Sequence, residues 1–338
     1  MLEHNYAGPK CRVYRERHLC CSSRRMLCLR AAAFIACLTA CGGSTKPPVP
    51  GPTPGPTPVA AQHLYTNGAT GHALQFALPL AGSAPTATLT IPTASNVSAV
   101  AVDSAGNVAI GDVGGNITIF VGPITGSASS SVTFKNGTST AVDNLVFNSA
   151  GDLFATTNSN TINVFTHPLT SASTPSQVIT SINLTGSDGV VLDSANNLIV
   201  SNSPSLAGSN LLVYAPPYTG PPIATAVVPA SFYRQMAING TQLFVVASQV
   251  SASRIDVYNL PITAASAPAF FIGTGLFGGS ATGNGVAMDS NGNLYAGLSG
   301  NLGTTDSGGV RIYVPPFSGA SAPNVTTGVF GTTLAAGK

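Results

Sequence analysis

The stretch Val310–Pro323 reads VRIYVPPFSGASAP, and related phrases occur at five earlier places in the chain. Each phrase contains an aromatic residue, two variable residues, a proline, an apolar residue and a tail of small residues. The six prolines are Pro79, Pro123, Pro168, Pro217, Pro261 and Pro316, separated by 44, 45, 49, 44 and 55 residues. Self-similarity with a period of about 40–50 residues is typical of repeat architectures. The spacing therefore predicts six repeats of one structural unit.

A second phrase alternates with the first. It reads VAVDSAGN, LVFNSAGD, VVLDSANN, MAINGTQ and VAMDSNGN, around Asp103, Asn148, Asp193, Asn239 and Asp289. An apolar run, a short polar turn and a second apolar run indicate two antiparallel strands joined by a tight turn. Asp and Asn suit such turns because their side chains bond to nearby backbone groups.

The ends of the repeat region predict a closed ring. There are six aromatic phrases but only five Asp/Asn turns, and the chain stops 22 residues after Pro316, where a sixth turn would begin. The first repeat begins midway, at QHLYTNG from Gln62, which matches NGNLYAG. We therefore expect a strand at Thr332–Gly337 to complete the blade that the segment after Gln62 begins. Closure of this kind removes two exposed sheet edges.

Four short strands in each repeat predict an all-β fold, a six-bladed β-propeller over residues 62–338. In the second repeat the expected strands are Val97–Val102, Asn107–Gly111, Ile117–Val121 and Ser131–Phe134. We expect the repeated aromatic residue to pack between neighbouring blades. The proline after it lacks a backbone N–H and is expected at the end of a strand.

The phrase GVAMDSNGNLYAG (Gly285–Gly297) resembles the NHL repeat, in which an apolar strand runs into Asp-x-x-Gly-Asn and a second apolar strand. VAVDSAGNVAIGD and GVVLDSANNLIVSN are similar to it. This resemblance implies a six-bladed ring. Rings of that type include protein-binding modules, gluconolactonase-like metalloenzymes and antibiotic lyases, so the fold leaves the function open.

The N-terminal region carries a different signal. All six cysteines lie within residues 1–41, so none supports the repeats. Arginines precede a short apolar stretch, Leu29–Leu38, and the segment Leu38–Cys41 (LTAC) resembles the bacterial lipobox. The resemblance implies a signal region over 1–41, lipidation of Cys41, and a true translation start at Met26. An ordinary secretory signal with an incidental cysteine is the alternative.

Residues 42–61 are rich in Pro and Gly, which predicts an extended spacer rather than a packed domain. An acylated cysteine followed by a spacer predicts an exported protein anchored in a membrane through its lipid. Gly42 is not the Asp that keeps such lipoproteins in the inner membrane. The resemblance therefore favours the bacterial outer membrane or cell surface, with a periplasm-facing location as the alternative.

The charge of the region after Cys41 argues against nucleic-acid binding. It contains nine Asp, six Lys or Arg and no Glu, for a net charge of −3. Nucleic-acid-binding surfaces need clustered Lys and Arg. We expect a monomer whose partner is an unknown protein or a small molecule.

One set of equivalent positions is a candidate ligand-binding site at the mouth of the propeller channel. Five residues before each Asp/Asn turn, the chain enters the innermost strand of a blade. The residues there are Ser98, Asp143, Asp188, Arg234 and Asn284, with Thr333 near the same level in the closing strand. Carboxylate and amide oxygens suit a cation or sugar hydroxyls, and Arg suits an anion. The alternative is that these side chains are polar only because a channel mouth is wet.

No catalytic residue is assigned. A gluconolactonase-like metal site includes a Glu, whereas this chain has none after Glu16, and Arg234 would oppose a divalent ion. Streptogramin-lyase-like chemistry needs a channel histidine, and His63, His72 and His167 do not fall at the mouth position. No cofactor is required, although Ca²⁺ or another divalent cation remains an option. The predicted function is a binding or scaffolding module; a propeller hydrolase or lyase and a purely structural envelope protein are the alternatives.

Overall fold

The computed structural model describes residues 62–68, 70–80, 84–137, 141–157, 160–181, 183–205, 208–229, 232–248, 253–277, 282–299, 309–327 and 333–337. The predicted signal region, Cys41 and the spacer lie outside these ranges. All regular structure within them is β-strand. In this part of the chain no helix is long and apolar enough to cross a membrane.

The strands form six sheets, each built on four antiparallel strands, which are the six blades of a propeller. The first strand named in each blade lies nearest the channel, and the last lies at the outer edge. Blade 1 contains β25 (Leu334–Gly337), β1 (His63–Asn67), β2 (His72–Ala77) and β3 (Ala87–Thr90). Blade 2 contains β4 (Val97–Val102), β5 (Val108–Asp112), β6 (Asn116–Phe120) and β8 (Val132–Lys135). Blade 3 contains β9 (Val142–Phe147), β10 (Leu153–Thr157), β11 (Thr161–Phe165) and β12 (Gln177–Thr180).

The second half of the ring follows the same plan. Blade 4 contains β13 (Ser187–Leu192), β14 (Leu198–Ser205), β15 (Gly208–Tyr214) and β16 (Ala224–Pro229). Blade 5 contains β17 (Phe232–Asn239), β18 (Gln242–Ser248), β19 (Ser253–Asn259) and β20 (Phe270–Phe277). Blade 6 contains β21 (Thr282–Met288), β22 (Leu294–Ser299), β23 (Gly309–Tyr313) and β24 (Val325–Thr327).

One short strand was not expected from the sequence. β7 (Gly126–Ala128) lies in the small-residue tail of the second aromatic phrase and pairs in parallel with β3 of the preceding blade. It therefore covers the outer edge of blade 1, which would otherwise leave backbone groups unpaired.

The ring closes as predicted. β25 pairs antiparallel with β1, in a register that runs from His63 opposite Gly337 to Thr66 opposite Leu334. The six innermost strands contact one another in sequence, and β25 lies between β21 and β4. The backbone N–H of Ser290, in the turn of blade 6, also donates to Gln62 Oε1 at 2.9 Å. The pairing of β1 with β25 thus joins the first and last described segments within blade 1, and the bond from Ser290 to Gln62 links that blade to blade 6.

The hydrophobic core consists of six clusters, one at each junction between neighbouring blades. Each cluster contains the aromatic residue of one repeated phrase, which confirms the prediction that these rings pack between blades. They are Phe76, Phe120, Phe165, Tyr214, Tyr258 and Tyr313, each at most 2% exposed. Because every blade buries one face against each neighbour, an open end would expose an apolar face to water.

The repeated prolines lie just beyond the strands that carry the aromatic residues, as predicted. Pro123 follows β6, for example, and Pro168 follows β11. All six are preceded by cis peptide bonds.

In blades 2, 3, 4 and 6, each Asp/Asn turn is organised by one side chain. Asp193 Oδ1 accepts hydrogen bonds from the backbone N–H groups of Ala195 and Asn197, at 2.9 and 2.8 Å, and Asp193 Oδ2 accepts one from Asn197 Nδ2 at 2.9 Å. Asp103 and Asp289 make the same set. In blade 3 the two residue types are exchanged, so that Asn148 holds the turn and donates to Asp152. These carboxylates therefore serve the turns.

Candidate functional site

A β-bulge interrupts the innermost strand of five blades at the position that the sequence singled out. In blade 2, Val97 pairs with Asp112 and Ala99 with Gly111, so Ser98 is an extra residue on its strand. Equivalent register shifts fall at Asp143, at Asp188, in the interval that holds Arg234 and Gln235, and at Asn284. A bulge re-aims the side chains beside it. The five predicted residues are therefore one structural feature repeated around the ring.

The bulges open onto a cavity of about 300 Å³ at one end of the channel. Four of the five predicted residues, Ser98, Asp143, Asp188 and Arg234, line it together with Thr333. Asn284 lies at the equivalent bulge in β21, but its side chain is outside the described part of the structure. We call this space the mouth cavity.

Two hydroxyl groups at the mouth join neighbouring blades. Thr333 Oγ1 donates to the backbone carbonyl of Ser98 at 2.9 Å, and Ser98 Oγ donates to that of Val142 at 2.5 Å. The hydroxyl of Ser98 therefore has a structural bond as well as a place in the cavity lining. The charged groups of Asp143, Asp188 and Arg234 are the stronger candidates for contact with a ligand.

The position of Arg234 is fixed through its backbone. Its carbonyl oxygen accepts a hydrogen bond from Ser201 Oγ at 2.9 Å, and Ser201 Oγ accepts one from the N–H of Gly189 at 2.7 Å. A Cβ at Gly189 would collide with the carbonyl oxygen of Arg234, so glycine permits this approach of blades 4 and 5. The Arg234 Nε is buried and has no hydrogen-bond partner among the described residues.

The pKa values of the two carboxyl groups in the mouth cavity are raised above the ordinary value for Asp. Burial and, to a smaller extent, the neighbouring negative charge of Asp188 together raise the pKa of Asp143 to about 7. Burial raises the pKa of Asp188 to about 6, against the opposing effect of Arg234. Within the described structure, neither carboxylate lies within 4.0 Å of an Arg234 nitrogen. The three groups therefore influence one another without forming a direct ion pair.

The floor of the mouth cavity is a side chain that crosses the channel. Gln235 Nε2, from blade 5, donates to the backbone carbonyl of Leu334 in blade 1 at 3.0 Å, and the N–H of Leu334 donates to Gln235 Oε1 at 3.2 Å. Gln235 and Asn144 also line a second cavity, of about 210 Å³, whose other walls are apolar residues from all six innermost strands. These two amides separate a polar end of the channel from an apolar one.

Sequence reasoning missed Asn144 and Gln235. A signal was present, because Asp143-Asn144 and Arg234-Gln235 are consecutive polar pairs in strands that otherwise carry buried apolar residues. Two polar neighbours in such a strand are typical of a bulge, since regular alternation would send one of them into the core between the blades.

The described histidines lie away from both cavities. His63 Nδ1 is 2.8 Å from Gln75 Nε2, and His72 Nδ1 is 3.1 Å from Thr90 Oγ1. His167 follows β11 and is exposed. Over the ranges that the structure describes, no group of three or more His, Cys, Asp or Glu side chains is arranged to hold a metal ion.

Solved structures that share the fold of this chain include the following three. A chain of a nidogen/laminin complex is 14% identical, covers 82% of this chain and 98% of its own, and has a TM-score of 0.57. The Cps50 (Swd1) β-propeller domain of Myceliophteria thermophila is 11% identical, with coverages of 78% and 82% and a TM-score of 0.53. A putative 6-phosphogluconolactonase from Bacteroides uniformis is 13% identical, with coverages of 80% and 83% and a TM-score of 0.54.

No family model and no curated protein matches the chain. Identities of this size show a shared fold and leave the function to be argued from the mouth cavity.

The protonation of Asp143 gives a testable pH dependence. Folded Asp143 binds its proton more tightly than the unfolded chain does, so its contribution to stability declines as the pH rises from about 4 towards 7. Asp143→Asn removes this decline. After allowance for partial solvent screening, we expect the Tm of the variant relative to the unsubstituted protein to increase by about 2–4 °C between pH 5 and pH 8.

The measurement is thermal unfolding followed by circular dichroism across that pH range. Lys135→Gln, at an exposed site outside the cavity, is the control and should show no such pH-dependent difference. A difference between Asp143→Asn and the unsubstituted protein that is constant with pH, or that has the opposite sign, would contradict the assignment.

Proposed function

We propose that this protein is an exported ligand-binding module, in which an NHL-like six-bladed propeller holds a small polar ligand in the mouth cavity. The observation that carries the proposal is the convergence of Asp143, Asp188 and Arg234 on one cavity. The region after Cys41 contains only fifteen Asp, Lys and Arg residues, and the carboxylates of the Asp/Asn turns serve the fold. The side chains of Asp143, Asp188 and Arg234 are partly buried and make no ion pair with one another within the described residues, which costs stability and favours a role in binding.

The size and rigidity of the cavity support a small ligand. Cavities that bind small molecules range from about 300 to 1,000 Å³, and the mouth cavity lies at the lower end of that range. Its walls are bulges in strands that pack against one another around a closed ring. Groups held on strands of a rigid scaffold are ordered before the ligand arrives, which reduces the entropic cost of binding.

We also propose that the propeller is anchored by acylation of Cys41 and held off the membrane by residues 42–61. The support is the order of basic residues, apolar stretch, LTAC motif and Pro/Gly-rich spacer in the sequence. An anchored binding module would sample solutes at the cell envelope, in the outer membrane or at the cell surface. Partners other than the membrane and the ligand are not needed for this role.

A lactone hydrolase or lyase is the second candidate, and one observation favours it. A carboxyl group whose pKa is raised to about 7 is suited to transfer protons near neutral pH, and Asp143 is such a group. The solved propeller from Bacteroides uniformis is described as a putative 6-phosphogluconolactonase, but at 13% identity that name supports only the fold. In this candidate Asp143 would act as the general base and Arg234 would stabilise the developing oxyanion.

Ligand binding can be tested with a defined panel of small molecules. Thermal-shift assays of the full chain would use monosaccharides, aldonic acids and their lactones, dicarboxylic acids and amino acids at about 5 mM. We expect at least one class to raise Tm by about 2 °C or more, because a ligand that binds only the folded state stabilises it. The doubly substituted protein, Asp143→Asn with Asp188→Asn, should lose the shift, whereas Lys135→Gln should keep it.

Two outcomes would count against a binding site in the mouth cavity: no compound changes Tm, or the shifts persist in the doubly substituted protein. Turnover of a lactone that disappears in Asp143→Asn would instead select the hydrolase.

The anchor has its own test. When the chain is expressed in a bacterial host that is fed an alkyne-labelled palmitate, the unsubstituted protein should carry label and sediment with membranes. Cys41→Ser should abolish both properties, and Cys37→Ser, four residues earlier, should retain the acyl label. Label on the Cys41→Ser protein, or its continued sedimentation with membranes, would refute lipidation at this cysteine.

A further inference from the structure

Three charged groups of the mouth cavity come from three consecutive blades. Asp143 lies on the innermost strand of blade 3, Asp188 on that of blade 4 and Arg234 on that of blade 5. On the other side of the mouth, Ser98 and Thr333 use their hydroxyls to join blades. The cavity therefore has one charged wall, on which two aspartate side chains are followed by one arginine.

We propose that the ligand is a small zwitterion, whose protonated amine lies between Asp143 and Asp188 and whose carboxylate binds Arg234. The proposal rests on the proposed function, because it names the chemistry that the same cavity would accept. Free α-amino acids are the simplest compounds of this class.

Each charged group of the wall is satisfied by one part of such a ligand. An ammonium group offers three N–H donors and one positive charge, which two neighbouring carboxylates accept. The buried Nε–H of Arg234 has no partner in the described part of the structure, and a carboxylate can accept from Nε and a terminal nitrogen together. The two ends of the ligand would thus meet complementary charges in the order in which the blades present them.

Other ligand classes leave part of the wall uncompensated. A neutral sugar would bond to the carboxylates but bring no charge to either side of the wall. A simple anion would suit Arg234 but face the two acids, and a divalent cation would suit the acids but face Arg234. Partly buried charges that a ligand desolvates without pairing are costly, so these ligands bind less tightly than one that meets all three groups.

The protonation of the carboxyl groups in the cavity supports a ligand that carries an ammonium group. The titratable groups that line it in the described structure are Asp143, Asp188 and Arg234. Burial and the charge of Asp188 raise the pKa of Asp143 to about 7, so this carboxyl group is partly protonated near neutral pH. An ammonium group beside it favours the ionised form, and binding at pH 7 should therefore release protons.

The experiment is isothermal titration of the full chain at pH 7 with the twenty proteinogenic L-amino acids. Each amino acid that binds is then compared with its N-acetyl derivative, which lacks the positive charge, and with its amide, which lacks the negative charge. We expect at least one amino acid to bind at millimolar concentration or below, and each derivative to bind at least about tenfold more weakly. Titrations in phosphate and in Tris should differ in heat by the amount that proton release requires.

Substitutions separate the two ends of the site. Arg234→Gln should remove the preference for the free acid over the amide and keep the preference for the free amine. Asp188→Asn should reduce the preference for the free amine over the N-acetyl compound and keep the preference for the free acid. Asp143→Asn should reduce proton release, and Lys135→Gln should change none of these quantities. The circular dichroism spectrum of each variant checks that it is folded.

Two results overturn the proposal in distinguishable ways. If sugars, lactones or dicarboxylic acids bind through Asp143 and Asp188 while no amino acid binds, or if the derivatives bind as tightly as the parent, the ligand is not a zwitterion and the binding function stands. If no compound of either panel binds, the zwitterion and the binding function both fail.

Discussion

The structure depends on the pairing of β25 with β1. Each blade has two apolar faces, and each face is buried only against a neighbouring blade. The six core clusters occupy all six junctions, and the cluster between blades 6 and 1 contains Leu334 of β25 beside Leu64 and Phe76. A series of such blades without closure would leave one apolar face exposed at each end. The antiparallel register between His63–Thr66 and Leu334–Gly337 removes both ends at once.

Closure also creates the candidate site. The innermost strands can face a common axis only when the ring is complete, and bulges in five of them place an extra residue at one end of that axis. Gln235 and Leu334 then connect blades 5 and 1 across the channel and form the floor of the mouth cavity. The raised pKa values of Asp143 and Asp188 follow from this geometry, because the ring partly removes both carboxyl groups from bulk water and places the charge of Asp188 near Asp143. Fold and site are therefore consequences of the same constraint.

Much of this architecture could be predicted from the sequence, because its signals recur. The aromatic phrase marked the six blade junctions, the Asp/Asn turns marked the two strands nearest the channel, and counting back from each turn located Asp143, Asp188 and Arg234 at the mouth. Features that occur once or twice could not be predicted in that way. The bond from Gln235 to Leu334 joins residues 99 positions apart, and β7 depends on the edge of a neighbouring blade. The sequence made Ser98 a candidate for ligand binding, but in the folded chain its hydroxyl donates to the backbone carbonyl of Val142.

Removal of residues Leu334–Lys338 tests the closed ring most directly. The truncated chain would lack β25, the apolar side chain of Leu334 and both bonds to Gln235, so blade 1 would lose its innermost strand. We expect thermal unfolding followed by circular dichroism to lose its cooperative transition or to shift its Tm downward by at least about 10 °C, a loss of several kcal/mol. Removal of Lys338 alone should leave Tm unchanged. If the longer truncation unfolds at the same temperature as the full chain, the ring does not depend on this strand and closure is not the constraint that holds the blades together.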